Sequence, residues 1–205
     1  MDSRTHQLLA RSIYQYYPIG FTQAKNWNRQ LNNIIADKID GKLELLKQWD
    51  AVVKDLRNGN LKIENLSWLQ FPNLMLVVEH AEKIQDLVVY KNLILCASLL
   101  CPFYTCFYQY ETKVSIENGI MPLSSLAFSS TKGFDTLRSP TSCKIVQETF
   151  ERFFTNYTFL GHFDLMVNKL YGGVPHGIDK IYNTNLEYSM YQFLFNGEQP
   201  LTIHS

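Results

Sequence analysis

The sequence from Asn92 to Tyr110 reads NLILCASLLCPFYTCFYQY and contains no formal charge over 19 residues. This length would cross a bilayer, but Pro102 lies in the middle of the segment, and the tyrosines crowd its second half instead of marking both membrane interfaces. Leucine and aromatic runs on either side of a proline are typical of two strands joined by a turn. We therefore predict a buried β-hairpin and no transmembrane helix.

Two similar apolar runs precede the two runs of this segment. Apolar and aromatic residues cluster over 74–78, 87–90, 93–100 and 103–110, with polar residues or proline between the clusters. These runs predict a small antiparallel sheet over about residues 70–114. Because the strands are apolar on both faces in places, we expect helices to cover the sheet on one side or on both.

Helical periodicity precedes the predicted sheet. Residues 1–60 predict three helices. The first has Ser3 as its candidate N-cap, the second contains the apolar residues of 24–35, and the third carries the clearest stripe, over 45–56. Gly59 supplies the end signal of the third helix.

A second helical region follows the predicted sheet. The serine-rich segment 115–139 is predicted to be a long loop packed on the body of the protein. Residues 140–197 predict helices again, and Phe163 and Val167 belong to the apolar stripe of a short one; the last spans 186–195. The predicted fold class is therefore α+β, a single domain over residues 1–205 with helices packed on a small antiparallel sheet.

The charges of the chain exclude several functions. Of 205 residues, 46% are hydrophobic, and 19 basic side chains balance 19 acidic ones, which excludes an intrinsically disordered chain. No basic stripe is visible, so we expect no nucleic-acid partner. The N-terminus shows no secretory signal, which predicts a cytoplasmic protein and reduced thiols at Cys96, Cys101, Cys106 and Cys143.

One set of residue types is suggestive of a catalytic zinc site. His80-Ala81-Glu82 is followed by Cys101-Pro102 and Cys106, and zinc nucleobase deaminases use His-x-Glu and Pro-Cys-x-x-Cys, with His and Cys as ligands and Glu as the proton carrier. Here the proline follows the first cysteine and four residues separate the cysteines. Because the residue types agree with this motif and their spacing does not, a zinc-dependent deaminase-like or hydrolytic enzyme is the alternative function. The competing interpretation is a polar turn over 79–86, with buried thiols beyond it.

Two polar segments contain the candidate interaction residues. The first is the turn with Glu79, His80 and Glu82, and the second is the loop GGVPHG over 172–177, in which the candidates are Gly173 and His176. This loop has neither the Lys-Ser/Thr pair of a P-loop nor the spacing of a Rossmann motif. A helix C-cap followed by a turn explains the same residues. No catalytic residue, cofactor or metal ligand is predicted.

Aromatic residues make up 14% of the chain, with 12 Tyr, 13 Phe and 3 Trp. A core does not readily satisfy so many tyrosine hydroxyls, so several tyrosines are expected on the surface. Exposed tyrosine and tryptophan are enriched at protein interfaces, where they contribute a large contact area for little loss of entropy. The composition therefore favours a protein that binds another protein.

Four short islands point the same way, namely Tyr16-Tyr17-Pro18, Leu99-Leu100-Cys101-Pro102-Phe103-Tyr104, Val174-Pro175 and Leu194-Phe195. In these islands the chain resembles a set of uncharacterised bacterial proteins, some of which look like immunity proteins of polymorphic-toxin systems. The resemblance implies a cytosolic inhibitor that masks a toxin domain stoichiometrically and has no catalytic residues. Inhibitors of nucleases are often strongly acidic, so the neutral charge of this chain favours another toxin. The leading hypothesis is a non-enzymatic protein-binding module.

Overall fold

The structure is a computed structural model, and it describes residues 1–17, 31, 33–34, 36–37, 43–67, 72–84, 87–116, 119–128, 140–176, 178 and 187–195. The helices with complete bounds are α1 (Ser3–Tyr14), α2 (Leu43–Asn58), α3 (Pro140–Phe153), α4 (His162–Val167) and α5 (Met190–Leu194). The strands are β1 (Ile63–Asn65), β2 (Asn73–Val78), β3 (Ala81–Ile84), β4 (Leu87–Ser98), β5 (Phe103–Ile116), β6 (Gly119–Phe128), β7 (Thr158–Phe159), β8 (Lys169–Tyr171) and β9 (Glu187–Ser189). These elements confirm the predicted α+β class.

The main sheet has seven strands in the order β1-β2-β4-β5-β6, with β3 paired to β4 and β7 paired to β5. Its pairs are antiparallel except the short parallel pair of β5 and β7. A second, two-stranded antiparallel sheet joins β8 to β9. The predicted antiparallel sheet is therefore present, and it contains one parallel strand pair in addition.

The predicted hairpin is formed by β4 and β5. Their register runs from the pair Ala97 and Tyr104 to the pair Leu87 and Val114. In the turn, the N–H of Phe103 donates to the carbonyl of Cys101 at 2.7 Å. The two runs predicted separately over 87–90 and 93–100 form one strand, because the polar residues between them pair in the ladder like their neighbours.

Two residues paired across neighbouring antiparallel strands point to the same side of the sheet, and successive residues along a strand point to opposite sides. The register of β4 and β5 therefore shows which residues share a face. Tyr104 and Cys106 of β5 lie on one side, which we call the α3 face because both contact helix α3. Phe107 lies on the other side, which we call the α4 face because its ring stacks on His162 of α4. Helices therefore cover the sheet on both sides.

The core of the α3 face is built from aromatic rings. Phe150 of α3 is fully buried, stacks on Phe154 at 4.5 Å between centroids, and meets Tyr104 of the sheet at the same distance. Trp49 of α2 packs edge-on against both phenylalanines. The Trp49 indole also donates to the Asn65 side chain at 3.1 Å, which ties α2 to strand β1.

The core of the α4 face joins the sheet to α1, α4 and α5. Leu9 and Ile13 of α1 are buried, and Tyr17, which follows this helix, packs edge-on against Phe193 of α5 at 5.1 Å. Tyr191 of α5 packs edge-on against Phe107 at 6.0 Å. Short helices suffice here because each contributes buried side chains to one shared core.

The prediction of a long loop over residues 115–139 is wrong for Gly119–Phe128, which forms strand β6 on β5. Its register pairs Ser124 with Thr112 but Pro122 with Lys113, so one extra residue is accommodated between them. Serines mislead here because a strand is held by its backbone hydrogen bonds, which do not depend on apolar side chains. Residues 129–139 lie outside the described part of the chain.

The last helix is also shorter than predicted over 186–195. Glu187–Ser189 forms strand β9, and helix α5 begins only at Met190. Ser189 is its N-cap: the Ser189 hydroxyl accepts from the backbone N–H of Gln192 at 3.3 Å, and the Gln192 side chain accepts from the N–H of Ser189 at 2.9 Å. This capping box sets the start of the helix in place of the apolar periodicity.

The N-terminal helices follow the prediction with two differences. Asp2, not Ser3, caps α1, because its carboxylate accepts from the N–H of Thr5 at 2.9 Å. Helix α2 ends just before Gly59 as predicted, but the left-handed residue is Asn60, with a φ of 61°. Of the second predicted helix, the described residues 31 and 33–34 are helical, and the rest of 24–35 lies outside the described residues.

Candidate functional site

The predicted polar turn over 79–86 contains strand β3. The Glu79 carboxylate forms an ion pair and a hydrogen bond with the Lys62 ammonium, and this hydrogen bond raises the pKa of Lys62. The His80 side chain is exposed, while its backbone carbonyl accepts from the N–H of Lys91 at 2.7 Å. Glu82 pairs with Val89 through its backbone, and its side chain lies outside the described part of the structure. Residues 81–84, predicted as part of a turn, thus form a strand paired with β4.

The structure does not bring the residues of the zinc hypothesis together. His80 lies opposite Lys91 near the start of β4, whereas Cys101 follows the end of that strand at Ser98. Seven residues of extended chain span about 23 Å, and zinc ligands must all lie within about 2.3 Å of the metal. Among the described residues, no group of three His, Cys, Asp or Glu side chains could hold a metal ion.

The four cysteines are buried and form no disulfide bond, and they lie in three separate places. Cys96 points to the α4 face, where its sulfur lies 3.9 Å from the Tyr191 hydroxyl. Cys101 lies in the β4–β5 turn. Cys106 and Cys143 meet on the α3 face. The first three cysteines, which are five residues apart in sequence, therefore lie in three separate environments.

The loop with Gly173 and His176 packs into the protein. Gly172 has a φ of 85°, which favours glycine. A Cβ on Gly173 would lie 3.3 Å from both the Phe193 ring and the Tyr17 carbonyl, so a side chain there would crowd the contact between these residues. His176 is buried, with 7% of its surface exposed. The packing explains both glycines without a ligand.

We expect Gly172→Ala to lower the free energy of unfolding by about 1–2 kcal/mol, because alanine is strained in the left-handed region. Urea denaturation of the purified variant measures this loss. Gly161→Ala is the control, since Gly161 has φ −62° and the new Cβ would approach only the end of the Asp164 side chain, 3.2 Å away. Equal stability of Gly172→Ala and the wild type would contradict the structural role of Gly172.

His162 is a buried histidine with aromatic rings on two sides. Its ring stacks on Phe107 at 3.7 Å and meets Tyr191 edge-on at 4.7 Å. Burial lowers its pKa to about 4, so the imidazole is neutral at pH 7. Its Nδ1 has no hydrogen-bond partner among the described residues. With aromatic rings on both sides, His162 is a member of the core.

An exposed apolar surface lies directly beside this core. Six large apolar side chains are exposed in the described part of the chain, and three of them fall within nine residues. They are Phe163, Val167 and Tyr171, exposed by 62%, 52% and 60%, and we call them the α4–β8 surface. Phe163 and Val167 are one helical turn apart and therefore share a face of α4.

The elements that hold the α4–β8 surface are tied to the body. Leu165 and Leu170 are buried, which fixes α4 and β8 in place. The N-terminal residues contact both ends of the segment: the Met1 ammonium lies 2.9 Å from the Asp164 carboxylate, and the Tyr14 hydroxyl of α1 donates to the Tyr171 carbonyl at 3.1 Å. The exposed side chains thus stand on rigid elements.

This surface was not predicted from the sequence. The apolar pattern places Phe163 and Val167 on the stripe of a short helix, which predicts that they are buried. Helix α4 has six residues, and it directs His162 and Leu165 into the core instead. A usable signal was present, because 3.6 residues per turn place Leu165 on the side of the helix opposite Phe163 and Val167, so that burying Leu165 exposes the other two.

The molecule is thus an α+β protein with helices on both faces of its sheet and an exposed apolar surface on α4 and β8. Comparisons with family models, curated proteins and solved structures found no match to this chain. In the part of the chain that is described, no helix is both long enough and apolar enough to span a membrane.

Proposed function

We propose that this protein is a non-enzymatic protein-binding module that uses the α4–β8 surface to hold its partner. The observation that supports this proposal is the exposure of Phe163, Val167 and Tyr171 on one short segment. Clustered exposed apolar side chains are costly in water and mark interaction sites. Aromatic residues are also the side chains that most often dominate binding energy at interfaces.

The charges near this surface favour an apolar partner. Asp164 is paired with the Met1 ammonium, and Lys169 lies 3.5 Å from Glu187. The chain as a whole has a net charge of zero. With its neighbouring charges already paired, the surface offers a partner little electrostatic attraction, so affinity must come from burial of apolar area. The occupant we propose is a protein domain with an apolar patch of its own.

The four short sequence islands suggest that the bound partner is a toxin domain. Their resemblance to immunity proteins leads us to propose a cytosolic inhibitor that covers a toxin domain stoichiometrically. An inhibitor of this kind needs a rigid surface and no catalytic group, and the buried residues His162, Leu165 and Leu170 hold the α4–β8 surface on the body of the protein. The neutral charge favours a toxin other than a nuclease.

Affinity purification from the source cells tests the binding function. We expect a stoichiometric protein with the wild-type chain and its loss with the double variant Phe163→Ser and Val167→Ser. Ile145→Ser is the matched control, because Ile145 is an exposed apolar residue, at 41%, on helix α3. Absence of any stoichiometric partner, or equal recovery with the double variant, would contradict the proposal.

Co-expression tests the inhibitor function. We expect the wild-type chain to restore growth to cells that express a toxin domain encoded beside its gene, and the double variant to fail. Sedimentation of the purified chain is the companion measurement. If the α4–β8 surface instead joins two copies of this chain, the wild type sediments as a dimer and the double variant as a monomer, which would contradict a toxin as the occupant.

A further inference from the structure

Two thiols face each other between the sheet and helix α3. The sulfur atoms of Cys106 in β5 and Cys143 in the first turn of α3 lie 4.0 Å apart. Both side chains are buried, with 2% and 7% of their surface exposed. Their hydrogen bond, together with burial, raises the pKa of Cys106 well above its ordinary value. The Cys106 thiol is therefore protonated in the reduced protein, and neither cysteine is used by the proposed binding surface.

A disulfide bond places its sulfur atoms about 2.05 Å apart. From 4.0 Å, each sulfur has to move by about 1 Å, a distance within the reach of side-chain rotation. Cys96 lies on the opposite face of the sheet, and Cys101 lies in the β4–β5 turn. We propose that Cys106 and Cys143 form an intramolecular disulfide when the chain meets a low-molecular-weight disulfide such as oxidised glutathione.

The reaction is two successive thiol–disulfide exchanges. A transient opening of the first turn of α3 lets the Cys143 thiolate attack the small disulfide, which breaks its S–S bond and releases one thiol. The Cys106 thiolate then attacks Cys143 Sγ, forms the protein disulfide and releases the second thiol. The protons lost by the two cysteines end on the two released thiols. Two electrons pass from the protein to the small disulfide.

The bond would join β5 to α3 across residues 107–142, a segment that includes strand β6. Closing such a loop restricts the unfolded chain more than the folded one. We expect oxidation to raise the midpoint of thermal unfolding by about 5–10 °C, because this gain is spread over a chain of about two hundred residues. The disulfide would therefore hold the β6 edge of the sheet in place under oxidising conditions.

Peptide mapping of the folded chain tests this proposal. After incubation with oxidised glutathione, acid quenching and alkylation, trypsin should yield peptide 92–113 joined to peptide 139–144, with the loss of two hydrogen atoms. Because the first peptide contains three cysteines, fragmentation must assign the link to Cys106. Cys106→Ser and Cys143→Ser should each abolish the link. Cys101→Ser, another buried cysteine, should retain it.

Three results would overturn the proposal, and the wild-type chain alone can give each of them. In the first, all four cysteines remain alkylatable after unfolding of the oxidised sample. In the second, Cys143 carries only a glutathione adduct. In the third, the link joins Cys143 to Cys96 or Cys101. A measured thermal midpoint that does not rise on oxidation would contradict the stabilisation, even if the link were formed.

Discussion

The variant Phe150→Ala is expected to lose about 4 kcal/mol of unfolding free energy, one of the largest effects of any single substitution in this chain. Phe150 is fully buried and contacts four other rings, those of Phe154, Tyr104, Trp49 and Tyr157. Its removal leaves a cavity between α2, α3 and the sheet, and the loss of transfer free energy adds to the cost of that cavity. Urea denaturation followed by circular dichroism measures the loss.

Phe153→Ala is the matched control for this experiment. Phe153 is the same residue type on the same helix, but it is half-buried and lies beside the Arg152 side chain. We expect it to cost less than about half as much as Phe150→Ala, because part of the new space is filled by water. Similar losses for the two variants would contradict the position of Phe150 at the centre of this core.

Acidification is expected to destabilise the protein through His162, by about 3 kcal/mol in total. The pKa of His162 is about 4 in the folded chain and 6.5 in the reference state. Between these values the unfolded chain binds a proton that the folded chain does not. The free energy of unfolding therefore falls as the pH decreases from 6.5 to 4, and this contribution is constant above 6.5.

The measurement compares two substitutions over that pH range. His162→Gln removes the titrating group, so its unfolding free energy should depend less steeply on pH than that of the wild type. His80→Gln is the control, because the His80 side chain is exposed, and it should retain the wild-type slope. Equal slopes for wild type and His162→Gln would show that His162 is not buried as a neutral group. Carboxylates contribute equally to all three proteins.

Local patterns predicted the centre of the fold well and its periphery less well. The uncharged run from Asn92 to Tyr110 predicted the hairpin because a central strand pair buries both of its faces. Strand β6 was missed because it lies at the end of the strand order, where serine and proline are tolerated. Strand β9 was missed because its three residues precede a helix of only five.

The candidate site was harder to predict because exposure is a tertiary property. The segment 163–171 alternates buried and exposed positions in a way that depends on which side of α4 meets the sheet. Likewise, His80, Cys101 and Cys106 have the residue types of a zinc site, but strand β4 separates His80 from Cys101 along its length. Residue types therefore suggested a chemistry that strand geometry does not assemble.

The dissociation constant of the complex with the recovered partner tests the proposed binding surface most directly. We predict that Phe163→Ala weakens binding by about thirtyfold, the effect of losing a dominant interface side chain. Ile145→Ala, on helix α3, should leave the constant unchanged. If the two variants bind as tightly as the wild type, or if Ile145→Ala is the one that weakens binding, the α4–β8 surface is not where the partner is held.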